Sequence, residues 1–117
     1  MFLVEGQKLF LTKGDSASMT IDLYDAAGVK TQPQSGDVLT LTVKDVPDGS
    51  VVFTKSGAAG SASIVIVPGD TSGKEAGTYS ADIQLTRGND RYTVWPTRPY
   101  DTVGNIGNFV LLPEVTT

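Results

Sequence analysis

The residues able to do chemistry are few and of one kind. The 117-residue chain has no His and no Cys, which removes the commonest general base, the commonest metal ligand and the thiol nucleophile together. Serine triads of the usual kind and zinc sites go with them. Carboxylates remain, and two pairs stand close in sequence: Asp22 with Asp25, and Asp45 with Asp48. Either could be drawn as a calcium site or an acid/base couple. Neither has the dense Asp-x-Asp-x-Asp run of a dedicated calcium loop, and both lie at turns, where Asp ordinarily bonds its own downstream backbone. Gly57 to Gly60 is the one Gly-rich loop, but no helix carrying Lys and Ser or Thr follows it, so the phosphate-loop pattern fails. No catalytic residue, cofactor or metal is expected. A small hydrolase using exposed carboxylates is the weakest reading, because nothing pairs two acids in an apolar pocket.

Recognition residues are easier to find. Tyr92, Trp95 and Tyr100 cluster with Arg91 and Arg98, and aromatic rings stack on sugar faces while Arg, Trp and Tyr are enriched at protein interfaces. These five form the candidate contact surface. Trp95 falls on the polar register of its segment, so its ring either covers one end of the core or meets a partner or ligand.

The elements that must position these residues are strands. Tyr79, Ala81, Ile83 and Leu85 alternate with Thr78, Ser80, Asp82, Gln84 and Thr86, which puts one apolar and one polar face on an extended segment. Arg87-Gly88-Asn89-Asp90 is a turn, after which Tyr92 and Val94 resume the alternation, so the spacing predicts a β-hairpin. Further strands are read at Lys8 to Thr12, Ala17 to Tyr24, Leu39 to Lys44, Val51 to Thr54, Ile64 to Val67 and Asn108 to Leu112. Ile64 to Val67 is apolar on both faces, which implies a central strand, one covered at one end by a loop, or one covered by a neighbouring subunit.

Between the strands lie turns: Lys13 to Ser16, Asp25 to Gly28, Asp45 to Gly49 with its Pro-Asp-Gly, and Ser56 to Ser61. Val29 to Asp37 reads as a loop with a short edge segment at most. Asp70-Thr71-Ser72 can cap one helical turn running through Gly73, Lys74 and Glu75. Tyr79, just after Gly77 at the entry of its strand, fits a tyrosine corner, a stability device in which the hydroxyl bonds the preceding loop. Eight short strands and no helical period predict a single all-β domain over residues 1–117, an antiparallel β-sandwich.

Composition narrows the partners. Nine Lys and Arg against thirteen Asp and Glu leave a net charge of −4 with the signs interspersed, so no basic cluster exists to release counterions from a nucleic acid, nor to hold a membrane surface. No apolar run reaches the roughly eighteen residues needed to span a bilayer. The absence of Cys fits cytoplasmic synthesis and folding, and Met1 to Val4 is too short for the apolar region of a signal peptide before Glu5.

The order of these signals resembles a known family. Leu11-Thr12-Lys13-Gly14-Asp15 leads into an alternating strand, and Leu41-Thr42-Val43-Lys44 follows after a loop. Then come Ile64-Val65-Ile66-Val67-Pro68 with Asp70-Thr71, and Ala76-Gly77-Thr78-Tyr79 with Asp82-Ile83-Gln84-Leu85. This is similar to the immunoglobulin-like domain at the N-terminal end of baseplate upper proteins and related tail proteins of phages and prophages of Gram-positive bacteria. The likeness covers roughly residues 8 to 95 and rests on turn and strand signatures. It implies an immunoglobulin-like sandwich of about seven to eight strands, a structural role in the virion, and no catalytic residues. The expected partners are other virion proteins or copies of the chain itself, with a host-surface glycan as the alternative; the expected location is the virion, after synthesis in the host cytoplasm. Pro96 to Gly107 departs from the family as an insertion before the last strand, and the family's proteins commonly continue into helical or receptor-proximal parts beyond the point where this sequence ends.

Overall fold

The structure, a computed structural model, describes residues 2–5, 8–24, 27–45, 49–95 and 108–113. Its frame is one large sheet whose longest strand is β9, Gly77–Arg87. From Ser80 to Thr86 one edge of β9 pairs antiparallel with the whole of β6, Val38–Lys44, from Val38 opposite Thr86 to Lys44 opposite Ser80. Beyond β6 lies β7, Val51–Ser56. The other edge of β9 is shared by two strands end to end. Its second half pairs with β10, Asp90–Trp95, and its first three residues pair with β11, Phe109–Leu112. Past β11 come β2, Lys8–Thr12, and then β1, Phe2–Glu5.

Alternation decides which face is buried. Leu9 and Leu11, Leu39, Leu41 and Val43, Ala81, Ile83 and Leu85, and Phe109 and Leu111 all point to the inner side and are buried, as a period of two requires. Thr40, Thr42, Gln84 and Thr86 occupy the other face. Phe53 of β7 meets Phe109 edge to face at 5.9 Å, which joins the two sides of the inner surface.

A thinner second layer closes the core. It consists of β3, Ala17–Thr20, paired with β8, Ser63–Ile66, and β4, Leu23–Tyr24, paired with β5, Lys30–Thr31. Ala17, Met19, Leu23, Ile64 and Ile66 face the large sheet and are buried. The chain is therefore an all-β sandwich, and its stability rests on apolar area trapped between unequal layers.

The corner between the layers matches expectation. The Tyr79 hydroxyl donates to the carbonyl of Glu75 in the preceding loop, the geometry of a tyrosine corner in a β-sandwich. The hairpin turn is also as read: Arg87 pairs with Asp90 across Gly88-Asn89, and only Gly88 has positive φ, at 59°, the pattern of a type II′ turn.

Several expectations are corrected. The sheet is mixed, because β2 and β11 run parallel; both strands reach the same side of the core by separate routes, so no hairpin forces them antiparallel. Among the described residues the strands divide into eleven segments, two of them only two residues long. One of them, β1, was read only as the start of the chain, and the stretch Ala17 to Tyr24 breaks at Ile21 and Asp22 where it leaves β8 for β5. The helical turn, α1, spans Pro68–Thr71. Its proline sits where a first-turn residue lacks an N–H partner anyway, and Asp70 accepts from the Val67 amide at 2.9 Å instead of opening a later helix. Finally, β8 is not a central strand: Val65 is 49% exposed and Val67, just past it, 44%, while Ile64 and Ile66 are fully buried; the reading of cover by a neighbouring subunit is not contradicted.

Candidate functional site

Of the five aromatic and Arg residues that form the candidate contact surface, Arg91, Tyr92 and Trp95 lie on β10. Arg98 and Tyr100 lie outside the described residues, as do Asp25 and Asp48 of the two acidic pairs. The strand places its three residues on different surfaces. Arg91 stands opposite Thr86 on the outer face, and Tyr92 stands opposite Leu85 on the inner face but beyond the second layer, so it remains 49% exposed.

Trp95 is not on the polar register. Thr93 pairs with Gln84, and Trp95 pairs with Ile83, so two residues of β10 are used for one of β9. That β-bulge rotates the strand by one residue and turns Trp95 inward beside Ile83. Val94 and Trp95 are both half-buried and pack against the core.

The result is a cleft of about 250 Å³ at one end of the sandwich. Leu9, Met19, Ile21, Ile83, Val94 and Trp95 give it an apolar lining. Thr20, Asp22 and Tyr24 supply the polar rim. Among the described residues Asp22 is the only carboxylate lining it and stands 3.3 Å from the Lys30 ammonium, both being well exposed, a pairing that water screens heavily. Such a cleft can receive an apolar or flat group and offer it a hydroxyl and one carboxylate.

Four polar devices hold the frame together. Asp37, 2% exposed, accepts two hydrogen bonds from Arg87, Nε to Oδ1 at 3.0 Å and Nη2 to Oδ2 at 2.8 Å, and a third from the Gln34 amide at 2.7 Å. The Arg87 hydrogen bonds hold its carboxyl below the usual range, and Asp37 in turn raises Arg87. The signal is in the register: Val38 faces Thr86, so Asp37 and Arg87 are the next residues beyond that pair. Asp70 is pushed up by burial, but the Val67 amide and Lys55, 2.9 Å away, outweigh this and leave it lowered. Thr71, fully buried in α1, accepts from the Gly14 amide at 2.9 Å and ties the turn after β2 to the helix.

The fourth device is Asn108. Its Oδ1 accepts from the Ala81 amide at 2.7 Å and its Nδ2 donates to the Ala81 carbonyl at 2.9 Å. No sequence signal distinguishes it from the loop-edge Asn residues nearby. Asp82, on the outer face of β9, is raised by burial, with Lys44 acting in the opposite sense. Among the described residues no three His, Cys, Asp or Glu side chains gather into a metal site, and no helix is long and apolar enough to cross a membrane.

No family model and no curated protein matches the chain.

Proposed function

We propose that this domain is a non-catalytic structural and attachment module of a phage or prophage virion, of the tail or baseplate type, working through contacts with other virion proteins or with copies of itself. The observation that carries the reading is the chemistry of the Trp95 cleft. Among the described residues its lining is apolar apart from Thr20, Tyr24 and an Asp22 paired with Lys30, which suits holding a side chain of another protein better than transforming a substrate. The likeness of residues 8 to 95 to tail-protein domains supplies the biological setting. Co-purification with the tail proteins encoded beside it, followed by light scattering of the complex, tests the role. A complex that weakens at least tenfold in Trp95→Ala supports it, and a failure to join any tail component overturns it.

A second reading is favoured by one feature, a cleft lined by the Trp95 ring together with Thr20 and Asp22. That combination suits the apolar face and hydroxyls of a sugar, so a glycan-binding or adhesive module of a bacterial surface protein is the alternative. Glycan-array binding that is lost in Trp95→Ala, with no affinity for tail proteins, selects it.

A further inference from the structure

We infer that the free edge of β10 pairs antiparallel with β10 of a second copy, so that two large sheets join across a two-fold axis at Tyr92. This names the partner within the assembly role proposed above and rests on that reading.

The argument begins at the hairpin. In a two-residue turn the flanking residues, Arg87 and Asp90, form the first hydrogen-bonded pair, and such pairs alternate with non-hydrogen-bonded ones. Arg91 and Thr93 therefore direct their backbone N–H and C=O groups away from β9. Among the described residues no strand lies on that side.

The sheet treats its two sides differently. On the far side, β7 carries Lys55 opposite the buried Leu41, with its ammonium held at Asp70. An inward-pointing charge on an edge strand is a device that prevents pairing with another chain. Among the described residues β10 is guarded less: its inward charge, Asp90, sits at the hairpin end and its bulge lies past Thr93. Between them the inward position is Tyr92, with no Pro and no Lys in the strand.

Those features select the register. Outward-facing groups pair with outward-facing groups, so Arg91 lies opposite Thr93 of the second copy, and Thr93 opposite its Arg91. This gives about four backbone hydrogen bonds. Asp90 then faces Val94 and Arg91 faces Thr93, so no like charges oppose each other. Tyr92 meets its own counterpart in the close, non-hydrogen-bonded position, where two exposed rings cover one another. A parallel arrangement would set Arg91 beside Arg91. This is strand addition, one of the common ways in which exposed sheet edges recognise a partner.

Sedimentation of the full chain over a wide concentration range tests the inference. A reversible dimer is expected, and Thr93→Pro should abolish it, since proline removes an N–H that points away from β9. Tyr92→Ala should weaken it about tenfold. Should Thr93→Pro fail to fold by circular dichroism, amide exchange of the unaltered protein decides: Arg91 and Thr93 amides must exchange more slowly at high concentration than at low. A protein monomeric at every concentration, a dimer indifferent to Thr93→Pro, or concentration-independent exchange overturns the inference. A monomer that still joins tail proteins leaves the assembly role standing without this contact, whereas a β10 dimer that joins none does the reverse.

Discussion

The Asn108 side chain bonds both backbone groups of Ala81, accepting at 2.7 Å and donating at 2.9 Å, 27 positions away in sequence. It does so where β9 has no strand partner on that edge, between the stretch paired with β11 and the stretch paired with β10. The amide replaces a missing strand residue, and its own carbonyl accepts from the Leu9 amide.

Asn108→Ala leaves two buried backbone groups of Ala81 without partners, each a desolvation cost of about 1–3 kcal/mol. Urea unfolding should register a loss of about 2–4 kcal/mol, and a change under about 0.5 kcal/mol would contradict this role.

The Asp37 and Arg87 pair makes stability fall in acid. Because the folded carboxyl titrates below its unfolded value, its contribution is complete above about pH 4 and disappears as pH falls through the folded pKa. In Arg87→Gln the midpoint of thermal unfolding should drop at pH 7 and depend less on pH in the acid range. Parallel pH profiles for the two proteins would argue against the pair.

Asp82 has the opposite sign. Burial raises its folded carboxyl, so the folded state holds the proton more tightly and stability declines as pH rises from the unfolded pKa through the folded one. Asp82→Asn should therefore be more stable than the parent at pH 7, with the advantage gone below about pH 4. Thermal melts at pH 3 and pH 7 compare the two.

Two glycines should respond oppositely to alanine. A Cβ on Gly57 would lie 2.3 Å from the Ser63 carbonyl oxygen, a backbone atom that cannot swing aside, whereas one on Gly69 meets nothing within 4 Å. Gly57→Ala should cost about 1–3 kcal/mol through overpacking. Gly69→Ala, within α1, should gain about 0.4–1 kcal/mol by restricting the unfolded chain. Paired chemical denaturation curves read both.

How much of this was legible follows from what alternation can encode. A period of two announced the inner residues of β3, β6 and β9, because trapping one face of a sheet imposes that pattern directly; β2 and β11, apolar at successive positions, gave no such sign. Tyr79 was legible too, since its corner is local. Trp95 was not: a bulge changes the face by one residue, and only the pairing with Ile83 reveals it. Asp37 looked like any turn Asp, because burial came from a cation fifty residues along the chain. Nor did β8 declare its exposed Val65, since an apolar run does not say how many layers cover it.

Because β10 and β11 occupy successive lengths of the same edge of β9, the chain departs at Trp95 opposite Ile83 and resumes at Phe109 opposite Tyr79, a gap of roughly 13 Å along the strand. Both anchorage points are fixed by the ladder whatever joins them. Closure entropy rises by only about 0.6 kcal/mol for each doubling of the joining segment. The scaffold is therefore a natural socket for foreign peptide, and an epitope or affinity tag spliced between residues 95 and 108 would be displayed from the middle of a strand with both ends clamped.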